Sequence, residues 1–98
     1  MQIIVETFIN PGEPSSSSIR VRPLAGQFEV DYRVWCSQYR RNSQPPGALF
    51  LVQATLVGPS HGNPYLRIGL YEEWEQVTRP DAMKFVIKNY GHKPLQPY

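Results

Sequence analysis

Hydrophobic and polar positions alternate over two stretches of the chain. From Phe28 to Cys36 every second residue is apolar (Phe28, Val30, Tyr32, Val34, Cys36), with Glu29, Asp31, Arg33 and Trp35 between them. From Tyr65 to Tyr71, Leu66, Ile68 and Leu70 fall on one face and Tyr65, Arg67 and Tyr71 on the other. Period two is the mark of a strand with one buried face, because successive side chains point to opposite sides. Both stretches therefore set arginines and aromatic rings on the side that should meet solvent.

Other segments complete a β-rich pattern. Ile3 to Ile9 is rich in β-branched residues and ends at the turn signal Asn10-Pro11-Gly12, which predicts a first strand. Pro11 to Ser18 has no apolar residue and is expected to be a mobile loop leading to a short second strand, Ile19-Arg20-Val21-Arg22. The third strand is expected from about Gln27 to Tyr39, followed by the polar hairpin tip Arg40 to Gly47. Ala48 to Val57 is largely apolar on both faces and reads as a central strand covered on at least part of each side. After the turn Gly58 to Pro64, a fifth strand starts at Tyr65 and extends through Trp74 towards Val77.

A helix is predicted from about Arg79 to Tyr90. Thr78 can cap it, Pro80 and Asp81 suit its first turn, and Gly91 stops it. Ala82, Met83, Phe85, Val86, Ile87 and Tyr90 give it a wide apolar surface, with Lys84 and Lys88 on the polar side. The expected fold class is α+β: an antiparallel meander of about five strands with one C-terminal helix packed on one face. A small OB-like barrel is the alternative, disfavoured because the helix follows the last strand instead of lying between the third and fourth. One domain is expected over residues 1–91, with 92–98 as a flexible tail.

At 98 residues the chain can close one core but not a second domain, so a site must lie on the surface or in a shallow cleft. Net charge is only +2, which gives no strong overall attraction to polyanions. Seven of the ten Lys and Arg residues are Arg, which suits planar, stacking or bidentate recognition. The single Cys36 falls in the buried register, so no internal disulfide is available and an intracellular, cytoplasmic setting is expected. No signal-peptide pattern stands at the start, and no run approaches the roughly 18 to 20 apolar residues of a membrane span.

These features define a candidate surface. Arg20, Arg22, Arg33, Trp35, Tyr39, Tyr65, Arg67 and Tyr71 share the sheet face away from the helix if the strands pair as a meander, and Arg40 and Arg41 stand in the adjoining loop. A basic, aromatic sheet face suits single-stranded nucleic acid, whose unstacked bases gain roughly 1 to 3 kcal/mol per aromatic contact while arginines meet phosphates. The same residue types stabilise any solvated sheet through cross-strand pairs, and they are enriched at protein interfaces. A protein-interaction module using Trp35, Trp74 and the tyrosines, such as a small accessory or inhibitor protein, is thus the competing expectation. A homodimer is expected from the small size and the aromatic surplus.

No catalytic or cofactor motif is evident. Glu72, Glu73 and Glu75 lack further ligands at a defined spacing, and Pro80-Asp81 is not followed by the Glu-x-Lys element of nuclease motifs. Cys36 with His61 or His92 is the only thiol–base pairing available, and its buried register disfavours a nucleophile. Gly58 and Gly62 read as turn residues, without the lysine and following helix of a nucleotide-binding loop. The chain is expected to be a non-catalytic binding protein without metal or cofactor.

Overall fold

The computed structural model describes residues 1–9 and 19–91. The loop expected at Pro11 to Ser18 and the tail expected at 92–98 lie outside the described residues. The architecture is α+β, as the pattern predicts: an antiparallel sheet with the C-terminal helix on one face. The described strands number seven and form two sheets, which do not close into a barrel. The main sheet has the order β2-β1-β4-β7, with β1 Gln2–Ile9, β2 Ile19–Pro23, β4 Leu49–Gln53 and β7 Glu75–Val77, all antiparallel. The small sheet has the order β3-β6-β5, from β3 Arg33–Trp35, β6 Tyr65–Arg67 and β5 Thr55–Val57. Within it β3 runs parallel to β6, whereas β5 is antiparallel to β6.

The layering follows from β1 and β4. Ile3, Ile4 and Val5 are consecutive and each is at most 1% exposed, so both faces of β1 are covered. On one face Ile4 and Leu49 pack with Leu24 and with Ala82 and Val86 of helix α2, Arg79–Val86. On the other, Ile3, Val5, Phe50 and Val52 meet Leu66 and Ile68, with Cys36 and Ala54. The result is three layers: helix, main sheet, small sheet.

Helix α2 begins as predicted, with the Thr78 hydroxyl accepting from the Asp81 N–H at 3.3 Å and Pro80 in the first turn. It continues as a wider π turn over Ile87–Gly91, where the Tyr90 hydroxyl donates to the Gln2 carbonyl at 2.8 Å. Met83 and Ile87, counted in the apolar surface of the predicted helix, stay exposed.

Three predicted strands are corrected. The stretch Gln27 to Tyr39 contributes only Arg33–Trp35 as strand, and Tyr39 belongs to a short helix, α1 (Gln38–Asn42), capped by the Ser37 hydroxyl accepting from the Arg40 N–H at 3.0 Å. Beyond the β2 pairing, the free edge of β1 is taken by a side chain. Gln27 accepts from the Ile4 N–H at 2.7 Å and donates to the Ile4 carbonyl at 2.7 Å and the Leu24 carbonyl at 3.0 Å. With that edge occupied, residues 28–32 have no strand to join, and Phe28 and Tyr32 pack edge to face at 5.4 Å. Gly26, at φ 98°, makes the turn that brings Gln27 there, under Val86 of α2.

The run Ala48 to Val57 divides at Ala54. Its first half is the doubly covered central strand β4; its second half, β5, crosses to the edge of the small sheet. Ala54 is 1% exposed and exchanges hydrogen bonds with Met1, each 2.8 Å, so the crossing leaves its backbone satisfied. The fifth strand divides in the same way, with β6 in the small sheet, a turn at Leu70 and Tyr71, and β7 in the main sheet. Leu70, expected on the buried face, is 53% exposed.

Because the Gln27 amide acts as a strand residue, removing it strands the Ile4 N–H in the core. Gln27→Met, which keeps the volume, is expected to lower the unfolding free energy by about 2–3 kcal/mol in urea titration. A loss under about 0.5 kcal/mol would show that the clamp contributes nothing.

Candidate functional site

The small sheet covers the main sheet with Val34 and Leu66 turned inward. Its other face is consequently outermost. The parallel register pairs Arg33 with Tyr65 and Trp35 with Arg67, so these four side chains form a two-by-two block in which guanidinium and ring alternate along and across the strands. The Arg67 guanidinium carbon lies 5.8 Å from the centre of the Trp35 ring, which is 49% exposed. Strand β5 extends the block with Val57 beside Tyr65 and Thr55 beside Arg67.

An open cleft of about 940 Å³ borders this block, between the edge of the main sheet and β3. Phe8, Arg20 and Val21 line it from the main sheet, Asp31, Arg33, Val34, Trp35, Asn63, Pro64 and Tyr65 from the segments around β3 and β6, and Arg41 from α1. Among the described residues of its lining three arginines stand against one aspartate, an excess of positive charge although the whole chain is nearly balanced. Helix α1 is anchored at both sides. The Asn42 side-chain oxygen accepts from the Ile19 N–H at 3.0 Å, and Arg40 donates to the Glu72 carbonyl at 2.6 Å. Arg41 is thereby held at the cleft wall.

Five of the ten predicted residues thus line one cleft: Arg20, Arg33, Trp35, Arg41 and Tyr65. Arg67 stands beside them in the block. The other four are placed elsewhere. Arg22 lies on the helix side of the main sheet, its Nε donating to Glu6 at 2.9 Å and its guanidinium 4.2 Å from the Phe8 ring. Arg40 is spent on the Glu72 carbonyl, and Tyr39 projects from α1 at 82% exposure. Tyr71 lines a separate hollow with Glu72, Glu73 and Glu75, where the charge is negative. The expectation that one sheet face away from the helix carries all of them fails because that face of the main sheet is apolar and the small sheet covers it. Trp74 is not a surface ring either: it packs on Phe50 at 5.6 Å.

Phe8, Asp31 and Asn63 are cleft residues that sequence reasoning passed over. Asp31 carried a signal, since it shares the alternating outward register of Arg33 and Trp35; Phe8, in the apolar run of β1, and Asn63, in an irregular segment, carried none. Among the described residues no group of three His, Cys, Asp or Glu side chains converges on a metal position, and no helix is long and apolar enough to cross a membrane. Comparison with protein-family models, curated proteins and solved structures finds no match to this chain.

Cys36 lies beneath the block, 7% exposed, and burial pushes its thiol pKa up, opposed in part by the nearby Arg41 guanidinium. A folded-state pKa above the unfolded one favours folding while the thiol is protonated in both states. That contribution is lost as pH rises through the ordinary thiol value of 9.0 and beyond. Unfolding free energy should therefore fall between neutral pH and the alkaline range, and less steeply in Cys36→Ala. Equal slopes in urea titrations of the two proteins would rule the thiol out as the cause.

Proposed function

We propose that the protein binds single-stranded nucleic acid on the outer face of the small sheet, without covalent chemistry. The observation that carries this reading is the alternating block of Arg33, Tyr65, Trp35 and Arg67 beside a cleft walled by Arg20 and Arg41. Stacking on a protein ring requires a base free of its own neighbours, which a single strand offers and a duplex does not. In this arrangement Trp35 and Tyr65 each take a base, while Arg33 and Arg67 meet the phosphates between them. Arg20 and Arg41 draw the continuing backbone into the cleft. Affinity is modest in sequence preference, since every base has a ring face and arginine reads phosphate alike at each position. The single buried thiol of Cys36 supports a cytoplasmic setting for this role.

Fluorescence titration with a labelled single-stranded oligonucleotide at low and high salt tests the proposal. Expected are quenching of tryptophan emission and binding that weakens steeply with salt. Trp35→Ala should reduce affinity roughly 5- to 150-fold, the range for losing one base stack, while leaving the domain folded because the ring is half exposed. Arg67→Ala should lower the salt slope by about 0.7. Lys84→Ala, on α2 across the main sheet from the block, should leave binding unchanged. Absence of binding at low salt would overturn the reading and leave a protein partner, whose aromatic contact should respond little to salt.

A further inference from the structure

Among the described residues each sheet ends in strands whose outer backbone groups face no further strand, and proteins guard such edges with charge, proline or cover. In the main sheet β2 carries Arg20 and Arg22 and ends in Pro23, and its first N–H is taken by Asn42. The opposite edge, β7, begins with Glu75. In the small sheet β3 carries Arg33 and faces β2 across the cleft. Among the described residues the remaining edge, β5, has neither charge nor proline within the strand, nor a covering segment. Thr55-Leu56-Val57 is uncharged, as is the chain from Ala54 to Ser60, and Leu56 is 43% exposed although its register partner Leu66 is fully buried.

We infer that β5 pairs with β5 of a second copy, antiparallel about a two-fold axis through Leu56. The occupant follows from self-complementarity. A strand facing its own inverted copy sets Leu56 against Leu56 and Thr55 against Val57, so no like charges meet and the edge backbone groups find partners. The strand carries no cation of its own, which disfavours a polyanion at this edge. The two small sheets then join into one of six strands. The two Arg33/Trp35/Tyr65/Arg67 blocks lie on the same surface, with the β3 strands about 24 Å apart at five strand spacings. A three-residue edge is short, so the dimer is of the weak, concentration-dependent class. The inference stands on the edge alone and does not rest on the nucleic-acid reading.

Sedimentation velocity from micromolar to near-millimolar concentration tests it, with circular dichroism to confirm folding of each variant. The wild-type chain should pass from monomer to dimer over this range. Leu56→Lys and Leu56→Glu should each remain monomeric through repulsion across the axis, and mixing the two should restore a dimer. A monomer at every wild-type concentration, or a dimer unaffected by either folded variant, would overturn the proposal. Should the variants fail to fold, hydrogen exchange on the unaltered protein decides. Slower exchange of the amides at 55–57 at high than at low concentration supports the pairing, and exchange independent of concentration refutes it.

Discussion

Burial of both faces of the β1–β4 pair is the constraint on which the rest of the structure depends. A strand with Ile3, Ile4 and Val5 in succession leaves no face for water, and β4 repeats the condition with Leu49, Phe50 and Val52. Each such side chain gains about 1.5–3 kcal/mol from full burial, so leaving either face open would cost more than a small domain has to spare. Helix α2 covers one face and the small sheet the other. The small sheet is in this sense a cover first: Leu66 and Ile68 hold it down, and the two-residue period of its strands then forces Arg33, Trp35, Tyr65 and Arg67 outward. The candidate site is the outer skin of a core-forming layer, positioned to the precision of the core itself.

Two polar residues in the interior serve backbone ends. Gln27 completes β1 where β2 stops. Thr7, 1% exposed, donates through its hydroxyl to the Pro45 carbonyl at 2.7 Å and accepts from the Ala48 N–H at 3.0 Å, tying down the chain that returns from α1 to β4. Both sit where a strand ladder ends inside the protein, where an unpaired backbone group would be most costly. They set the limits of the main sheet, and so the line along which the cleft opens beside β3.

The parts of this fold legible in the sequence were those determined locally. The β-branched run of β1, the Ile/Arg alternation of β2 and the Thr78 cap of α2 carry their own signals over a few residues. The alternation from Phe28 to Cys36 misled because a period of two states which way side chains would point, and says nothing about whether a neighbouring strand exists. Phe28 and Tyr32 instead met each other as rings, and Gln27 had already taken the edge. The long fourth and fifth strands concealed changes of sheet at Ala54 and near Gly69, where a small residue allows a crossing without announcing it. For the site, Arg33, Trp35, Tyr65 and Arg67 were legible because their strands formed and exposed that face. Arg22 and Tyr71 were misplaced because their surroundings depend on which layer covers which, a question of long-range pairing.

The order of elements along the chain has a bearing on how the protein comes into being. Among the described elements β1 is made before the other strands, yet its cover on one face, α2, comes after all of them, and the hydrogen bond from Tyr90 to Gln2 spans 88 positions. The layer over its other face is also late, since β3 waits for β6 to form a parallel pair across β4 and β5. Non-local pairings of this kind slow folding, and an uncovered apolar strand is prone to associate with other chains in the meantime. During synthesis the earliest of the described strands is therefore among the last to be shielded.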